Sequence, residues 1–214
     1  MSRVIAQLKA EAPEWNPTAL AEVADETERD PFRILIACLL SLRTKDETTG
    51  PAAERLFALA RTPEAMLRLT PRRIERAIFP VGFYRTKARV IRGVCRDLLA
   101  RFGGKVPGDL ETLLTLKGVG RKTANLVVTV AFGRPGICVD THVHRISNRL
   151  GFVRTKSPDQ TELGLRKKLP RRHWIEANDL LVAFGQKVCQ PLSPRCSICP
   201  VRRLCPRLGV TRSR

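Results

Sequence analysis

The sequence has few acidic residues for its size. Its 214 residues include 20 aspartates and glutamates against 39 lysines and arginines, which gives a formal net charge of +19. After Asp179 no acidic residue remains, whereas seven basic residues follow. A balance of this sign favours a polyanionic partner such as nucleic acid, although a membrane surface would fit the charge alone equally well.

Long apolar runs are also lacking. No segment approaches the roughly 20 apolar residues that cross a bilayer, and the first residues lack the apolar core of a secretion signal. Hydrophobic residues still make up 43% of the chain, enough to fill a core. We therefore expect a folded, cytoplasmic or nucleoid-associated protein that does not bind membranes.

Segments that alternate between polar and apolar residues, as strands do, are missing too. Instead, a capping residue is followed by proline at five places, an arrangement that starts helices. These are Asn16-Pro17, Asp30-Pro31, Thr62-Pro63, Thr70-Pro71 and Ser157-Pro158. Gly103-Gly104 is predicted to end a helix, and residues 127–130 are predicted to continue a buried helix that starts at Arg121. The pattern predicts an all-α fold.

Seven cysteines, an odd number, argue against a disulfide framework in a chain without an export signal. Three of them, Cys38, Cys95 and Cys138, have apolar or helical surroundings and are predicted to be small buried hydrophobes. The other four, Cys189, Cys196, Cys199 and Cys205, have the spacing C-x6-C-x2-C-x5-C. This spacing predicts one metal centre and by itself fits zinc and [4Fe–4S] equally. The three histidines have no ligand spacing, so no second metal site is predicted.

Residues 116–124, with the sequence LKGVGRKTA, join two predicted helices through Gly118 and Gly120. Glycines at such a turn let a DNA phosphate approach the backbone N–H groups at the start of the second helix. Val119 is predicted to pack inward and anchor the turn. An ordinary tight corner between two helices is the alternative that the two glycines alone would allow.

Five segments resemble the endonuclease III family in the family's own order. They are LIACLLSLRTKD, VGFYRTKA, LKGVGRKTANLVVTVAFG, VDTHVHRISNRLG and the cysteine pattern, so the likeness covers nearly all of the chain after about residue 25. The resemblance implies a DNA glycosylase and abasic-site lyase of base excision repair that removes oxidised pyrimidines. It also implies a monomer acting on double-stranded DNA that carries damaged bases or abasic sites.

The fold implied by the resemblance is a two-lobed helix-hairpin-helix architecture with a DNA-binding cleft. Residues 25–134 would form a helical, barrel-like domain that contains the hairpin. Residues 1–24 and 135–214 would form a discontinuous second domain with the cluster loop. The resemblance also favours a [4Fe–4S] cluster over zinc at the four cysteines.

The family's catalytic lysine corresponds to Lys122 and its catalytic aspartate to Asp140. Lys122 would attack the sugar as a neutral amine, which the positive helix end and Arg121 would favour. From the residues alone, Asp140 also fits a helix N-cap, and Lys122 also fits a phosphate contact. The DNA contacts implied by the resemblance are Gly118, Val119, Gly120, Arg121 and Thr123 in the hairpin, and Arg195 in the cysteine loop.

Two further residues are expected to enter the gap left by an extruded base. Phe83 is the apolar tip of VGFYRTKA, although core packing is the alternative for an aromatic residue at a helix start. Arg43 stands where better-known members of the family carry glutamine, so the sequence departs from the family there. Arginine could stack in the gap and bond to the orphaned base, but its charge and bulk put the substrate range in doubt.

Two alternatives remain at this point. A mismatch glycosylase without lyase activity would usually lack the lysine found at Lys122, and only nine residues follow Cys205 for an added recognition domain. A DNA-binding paralogue with little or no catalysis is kept open by Arg43.

Overall fold

The computed structural model describes residues 1–11, 24 and 28–214. The chain divides into two compact units. Residues 18–134 form one, here called the hairpin unit, and residues 1–17 with 135–214 form the other, here called the cysteine unit. The described residues form helices and no strand, which confirms the all-α prediction. None of the described helices is long and apolar enough to cross a membrane.

The described helices follow one another through short turns. The cysteine unit begins with α1 (Ser2–Glu11). The hairpin unit contains α2 (Pro31–Ser41), α3 (Asp46–Leu59), α4 (Pro63–Arg68), α5 (Pro71–Ile78), α6 (Tyr84–Phe102), α7 (Leu110–Leu114) and α8 (Arg121–Leu126). The cysteine unit continues with α9 (Thr141–Arg149), α10 (Pro158–Lys168) and α11 (Trp174–Lys187). Short 3₁₀ turns occupy Arg171–His173 and Arg202–Leu204.

Four of the five predicted proline-linked caps start helices. The side chains of Asp30, Thr62, Thr70 and Ser157 accept backbone N–H bonds at the starts of α2, α4, α5 and α10. Each such bond satisfies an N–H group that the helix itself leaves unpaired and contributes about 1 kcal/mol. Asn16-Pro17 lies outside the described residues. Gly103 ends α6 in the left-handed conformation at φ +57°, as predicted.

The core of the hairpin unit is built around α2. Eight of its eleven residues are buried, because α2 packs against α3, α6 and α8. Burying one Leu or Ile side chain contributes about 1.5–3 kcal/mol, so this helix anchors the unit. Cys38 and Cys95 belong to this interior, as predicted for small hydrophobes.

The cysteine unit has its own core. Ile5 and Leu8 of α1 pack with Val143 and Ile146 of α9 and with the apolar face of α11. Lys9 pairs with Glu176 at 2.9 Å and joins α1 to α11 at the surface. Cys138 is buried beside this core, so the third isolated cysteine also behaves as predicted.

Candidate active site and cysteine pocket

Residues 116–124 form the tight turn between α7 and α8. Gly118 has a φ of +94°, and Gly120 is the N-cap of α8 with a φ of −91°. Both glycines are exposed, whereas Val119 is only 5% exposed and anchors the turn, as predicted. The turn therefore presents backbone without side chains beside the start of α8, where N–H groups lack acceptors within the helix.

We expect Gly118→Ala to destabilise this turn. A Cβ at Gly118 would lie 2.6 Å from Val90 Cγ1, and φ +94° disfavours any side chain. The free energy of unfolding should fall by about 1–3 kcal/mol, which a thermal melt would detect. Gly120→Ala is the matched control, because its Cβ would meet no atom within 4 Å. Equal melting temperatures for the two variants would contradict the observed turn.

Lys122 lies in the first turn of α8 and is half-buried. It is near α2, because its positive charge opposes the effect of burial on the Cys38 thiol, whose pKa burial raises to about 12. Beneath it α8 is fixed in the core by Ala124, which is fully buried. The helix then widens into a π-helical turn at Val127–Ala131, a feature often found at functional sites. The prediction of a buried helix there is confirmed, but its wider geometry was not foreseen.

Arg43 and Phe83 occupy two exposed turns of the hairpin unit. Phe83 is 63% exposed, so it is not the core residue that the alternative interpretation required. Arg43 is exposed as well, and its guanidinium carbon lies 5.7 Å from the centre of the Phe83 ring. This distance fits a cation–π contact. The structure therefore brings these two predicted residues together at the surface.

Asp140 is the N-cap of α9 in the cysteine unit. Its carboxylate accepts the backbone N–H of Val143 at 2.8 Å. The capping function inferred from the residues alone is thus confirmed. The side chain is half-buried, so its second oxygen is available for other work only within a partly shielded environment.

The four clustered cysteines line one pocket of the cysteine unit. The pocket has about 430 Å³ of space between atoms, part of it open to solvent, and its walls include Ile146, Phe184 and Val201. All four cysteines are unpaired thiols with intermediate burial. Among the described residues, no group of three or more His, Cys, Asp or Glu side chains has the geometry of a preformed metal centre.

The electrostatics of this pocket fit a group that binds through sulfur. Burial raises the pKa of Cys199 to about 11, and the neighbouring charges of Cys189, Cys205 and Cys196 raise it further. Burial likewise raises the pKa of Cys205. Several thiolates in one half-buried pocket repel each other, so they are stable together only when a cationic centre binds them. The donor set therefore fits either a metal ion or an iron–sulfur cluster.

Comparisons with known proteins identify the family. Residues 36–171 match the HhH-GPD superfamily of base excision DNA repair proteins. Endonuclease III of Thermotoga maritima is 47% identical over 178 residues, which cover 83% of this chain and 84% of that protein. The chain belongs to the endonuclease III family.

Solved structures of endonuclease III agree with this assignment. A non-covalent complex of endonuclease III with DNA has a TM-score of 0.85 and 38% identity, covering 95% of this chain and 92% of that one. A trapped covalent intermediate of endonuclease III with DNA has a TM-score of 0.79 and 40% identity, covering 88% and 93%. The resemblance and the helix-hairpin-helix fold are thereby confirmed, and the chain is a base excision repair DNA glycosylase.

Not every residue expected to contact DNA in an endonuclease III is at the surface. Thr123 is 1% exposed and Val119 5%, so both side chains support the hairpin from inside. Gly118, Gly120 and Arg195 are exposed, and Arg121 is half-buried. Contacts from the hairpin would therefore come from its backbone and Arg121 rather than from the Thr123 hydroxyl.

Two buried basic residues escaped the sequence analysis. Arg149 is 8% exposed and donates hydrogen bonds to Cys189 Sγ at 3.4 Å and to the carbonyl of Gln190 at 2.7 Å. Lys87 is 7% exposed and lies beneath the turns of Arg43 and Phe83. Both occupy apolar faces of helices, since Arg149 follows Ile146 by three residues and Lys87 precedes Ile91 by four. That spacing is the signal that could have found them.

Proposed function

We propose that this protein is a bifunctional DNA glycosylase and abasic-site lyase that acts as a monomer on double-stranded DNA. Its substrates are oxidised pyrimidines and abasic sites. The observation that carries the proposal is the position of Lys122 in the first turn of α8, directly after the exposed turn of Gly118 and Gly120. An amine placed there lies beside the backbone that would hold a DNA phosphate. DNA as partner places the protein in the cytoplasm, at the nucleoid.

The proposed chemistry begins with attack of the neutral Lys122 amine on C1′ of the damaged nucleotide. The new C–N bond displaces the base, which departs with the glycosidic electron pair and takes up a proton. The sugar ring opens, giving a Schiff base between C1′ and the lysine nitrogen. The Schiff base acidifies the C2′ proton, and its loss expels the 3′ phosphate by β-elimination. Water then hydrolyses the Schiff base and restores the lysine.

Asp140 is proposed to supply the carboxylate that offsets the positive charge developing on the sugar. One of its oxygens accepts the Val143 N–H, which fixes the side chain at the end of α9. A carboxylate held in this way reorganises little during the reaction. The capping bond and the catalytic function are therefore compatible in one residue.

The proposed DNA contacts follow from exposure. The backbone of Gly118 and Gly120, with Arg121, would bind phosphate, and Arg195 would bind the backbone from the loop between Cys189 and Cys196. Arg43 and Phe83 would occupy the space left by the extruded base, which costs a few kcal/mol of lost stacking to open. Both are exposed and in mutual contact, as that function requires.

The four pocket cysteines are proposed to bind a [4Fe–4S] cluster. Such a cluster, bound through Cys189, Cys196, Cys199 and Cys205, would hold the loop 189–205 in place as a structural support. Arg149 fits this function, because its hydrogen bonds to Cys189 Sγ and to the next carbonyl fix the first ligand of the loop.

Product analysis tests the proposed function. A labelled duplex with one thymine glycol is incubated with the purified holoprotein, and an identical undamaged duplex is the control. We expect release of the damaged base and a cleaved strand with a β-elimination end. Base release that leaves the strand intact would indicate a glycosylase without lyase activity. Binding with no reaction on either thymine glycol or an abasic site would indicate the non-catalytic paralogue.

We expect Asp140→Asn to lower the single-turnover rate of base release by about 10²–10⁴-fold. Asparagine still caps a helix, so the melting temperature should change by no more than about 2 °C. Asp109→Asn is a matched control, because Asp109 also caps a helix, accepting the Thr112 N–H at 2.9 Å. Similar rates for the two variants would leave Asp140 with its capping function alone.

A further inference from the structure

The turns that carry Arg43 and Phe83 are both strained. Arg43 has a φ of +53° and Phe83 a φ of +58°, in the left-handed region that residues with a side chain rarely adopt. Each such conformation costs on the order of 1 kcal/mol or more and persists only where the surroundings enforce it. Something in the structure must therefore hold the two turns.

Lys87 connects the two turns from below. It lies on α6 one turn after Phe83, and its backbone N–H donates to the Phe83 carbonyl at 3.0 Å. Its ammonium reaches the other turn, where it donates to the carbonyls of Leu40 at 2.6 Å and Leu42 at 2.5 Å, and to Thr44 Oγ1 at 3.0 Å. These three acceptors flank Arg43 on both sides.

The acceptors suit a buried cation. Leu40 and Leu42 lie at the C-terminal end of α2, where carbonyls without helical partners and the helix dipole both favour positive charge. Lys87 is 7% exposed, so water does not replace these bonds. Burial lowers the pKa of Lys87 to about 8, which still leaves the ammonium mostly charged at neutral pH.

The backbones of the two turns are also in direct contact. Gly82 N–H donates to Thr44 Oγ1 at 3.2 Å. A Cβ at Gly82 would lie 2.6 Å from the carbonyl oxygen of Arg43, so only glycine permits this approach. Thr44 therefore accepts hydrogen bonds from both Lys87 and Gly82, and joins the buried cation to the turn that precedes Phe83.

We propose that Lys87 is a positioning residue that holds Arg43 and Phe83 together as one rigid wedge for opening the DNA stack. This rests on the proposed function, since it assumes that the two residues enter the gap left by an extruded base. Each end of the Lys87 side chain fixes one half of the wedge: its backbone holds the Phe83 turn and its ammonium holds the Arg43 turn. Loss of the ammonium would leave the two tips free to move independently.

The test separates base extrusion from chemistry. Lys87→Met keeps the length and apolar stem of the side chain but removes the ammonium, and Lys87→Arg restores a cation. Lys105→Met is the surface control, since Lys105 is exposed. Stack opening is measured by the fluorescence of 2-aminopurine placed next to a tetrahydrofuran abasic analogue in a duplex. The analogue has no reactive C1′ leaving group, so the signal does not depend on the lysine chemistry. Trapping with borohydride on a single-stranded abasic oligonucleotide measures chemistry without extrusion.

We expect Lys87→Met to lose most of the fluorescence change at saturating protein and to lower kcat/KM on a thymine glycol duplex by about 10–100-fold. Single-strand trapping should stay within about twofold of the parent, and Lys87→Arg should recover part of the duplex activity. Equal losses in both assays would show a general structural defect and overturn the proposal. So would an unchanged fluorescence response, or no response from the parent protein.

Thr44→Val provides a second variant if Lys87→Met does not fold. It keeps the side-chain shape but removes the oxygen that accepts from Lys87 and Gly82. We expect the same separation, a weaker fluorescence change with single-strand trapping preserved. Failure of the parent to release thymine glycol, with a normal fluorescence change, would reject the proposed lesion specificity and leave the wedge intact.

Discussion

Lys122→Ala is expected to lower strand cleavage at thymine glycol and at abasic sites by a factor on the order of 10⁴ or more, because it removes the proposed nucleophile. Lys122 is half-buried in the first turn of α8, and alanine is a strong helix former, so the hairpin should remain folded. Single-turnover cleavage of a labelled duplex measures the loss. Binding to the uncut duplex should persist.

Lys105→Ala is the control for the lost charge, because Lys105 is an exposed lysine of the same unit that has no proposed contact with DNA. It should cleave at the parent rate. A Lys122→Ala protein that retains more than about one tenth of the parent rate would show that another amine is the nucleophile.

Cys199→Ala is expected to abolish the visible absorption and the bound iron and sulfide of the purified protein. Cys199 lines the pocket with the three other cysteines, and a cluster that loses one of four thiolate ligands is poorly held. Because metal binding is coupled to folding of the surrounding loop, the cysteine unit should also melt at a lower temperature.

Cys138→Ala is the matched control, since Cys138 is a buried cysteine of the same unit outside the pocket. It should keep the parent's iron content, with a modest stability loss from the smaller side chain. Zinc in place of iron in the parent protein, measured by elemental analysis, would contradict the proposed cluster while leaving the four ligands in question.

Local chemistry made much of the fold predictable. Asp30, Thr62, Thr70 and Ser157 start helices because a capping oxygen followed by proline satisfies the first turn without help from distant residues. The hairpin turn is local as well, since Gly118 alone supplies the positive φ. The inward packing of Val119 follows from an apolar residue between two exposed glycines.

The supports of the site depend on distant contacts and were therefore missed. A lysine such as Lys87 is normally exposed, and its burial depends on carbonyls more than 40 residues away in sequence. Arg149 similarly depends on the loop that begins at Cys189. Thr123 was expected to contact DNA, yet packing of α8 against α2 buries it. In each case the sequence shows the residue type but not the neighbour that determines its environment.

The central claim is that Lys122 forms a Schiff base with the opened sugar. Borohydride reduction of the parent protein on an abasic duplex, followed by proteolysis and mass spectrometry of the DNA-linked peptide, tests it most directly. We predict a single modified residue, Lys122. Modification of a different lysine or of the N-terminal amine, or no adduct from protein that binds the duplex, would contradict the proposed mechanism.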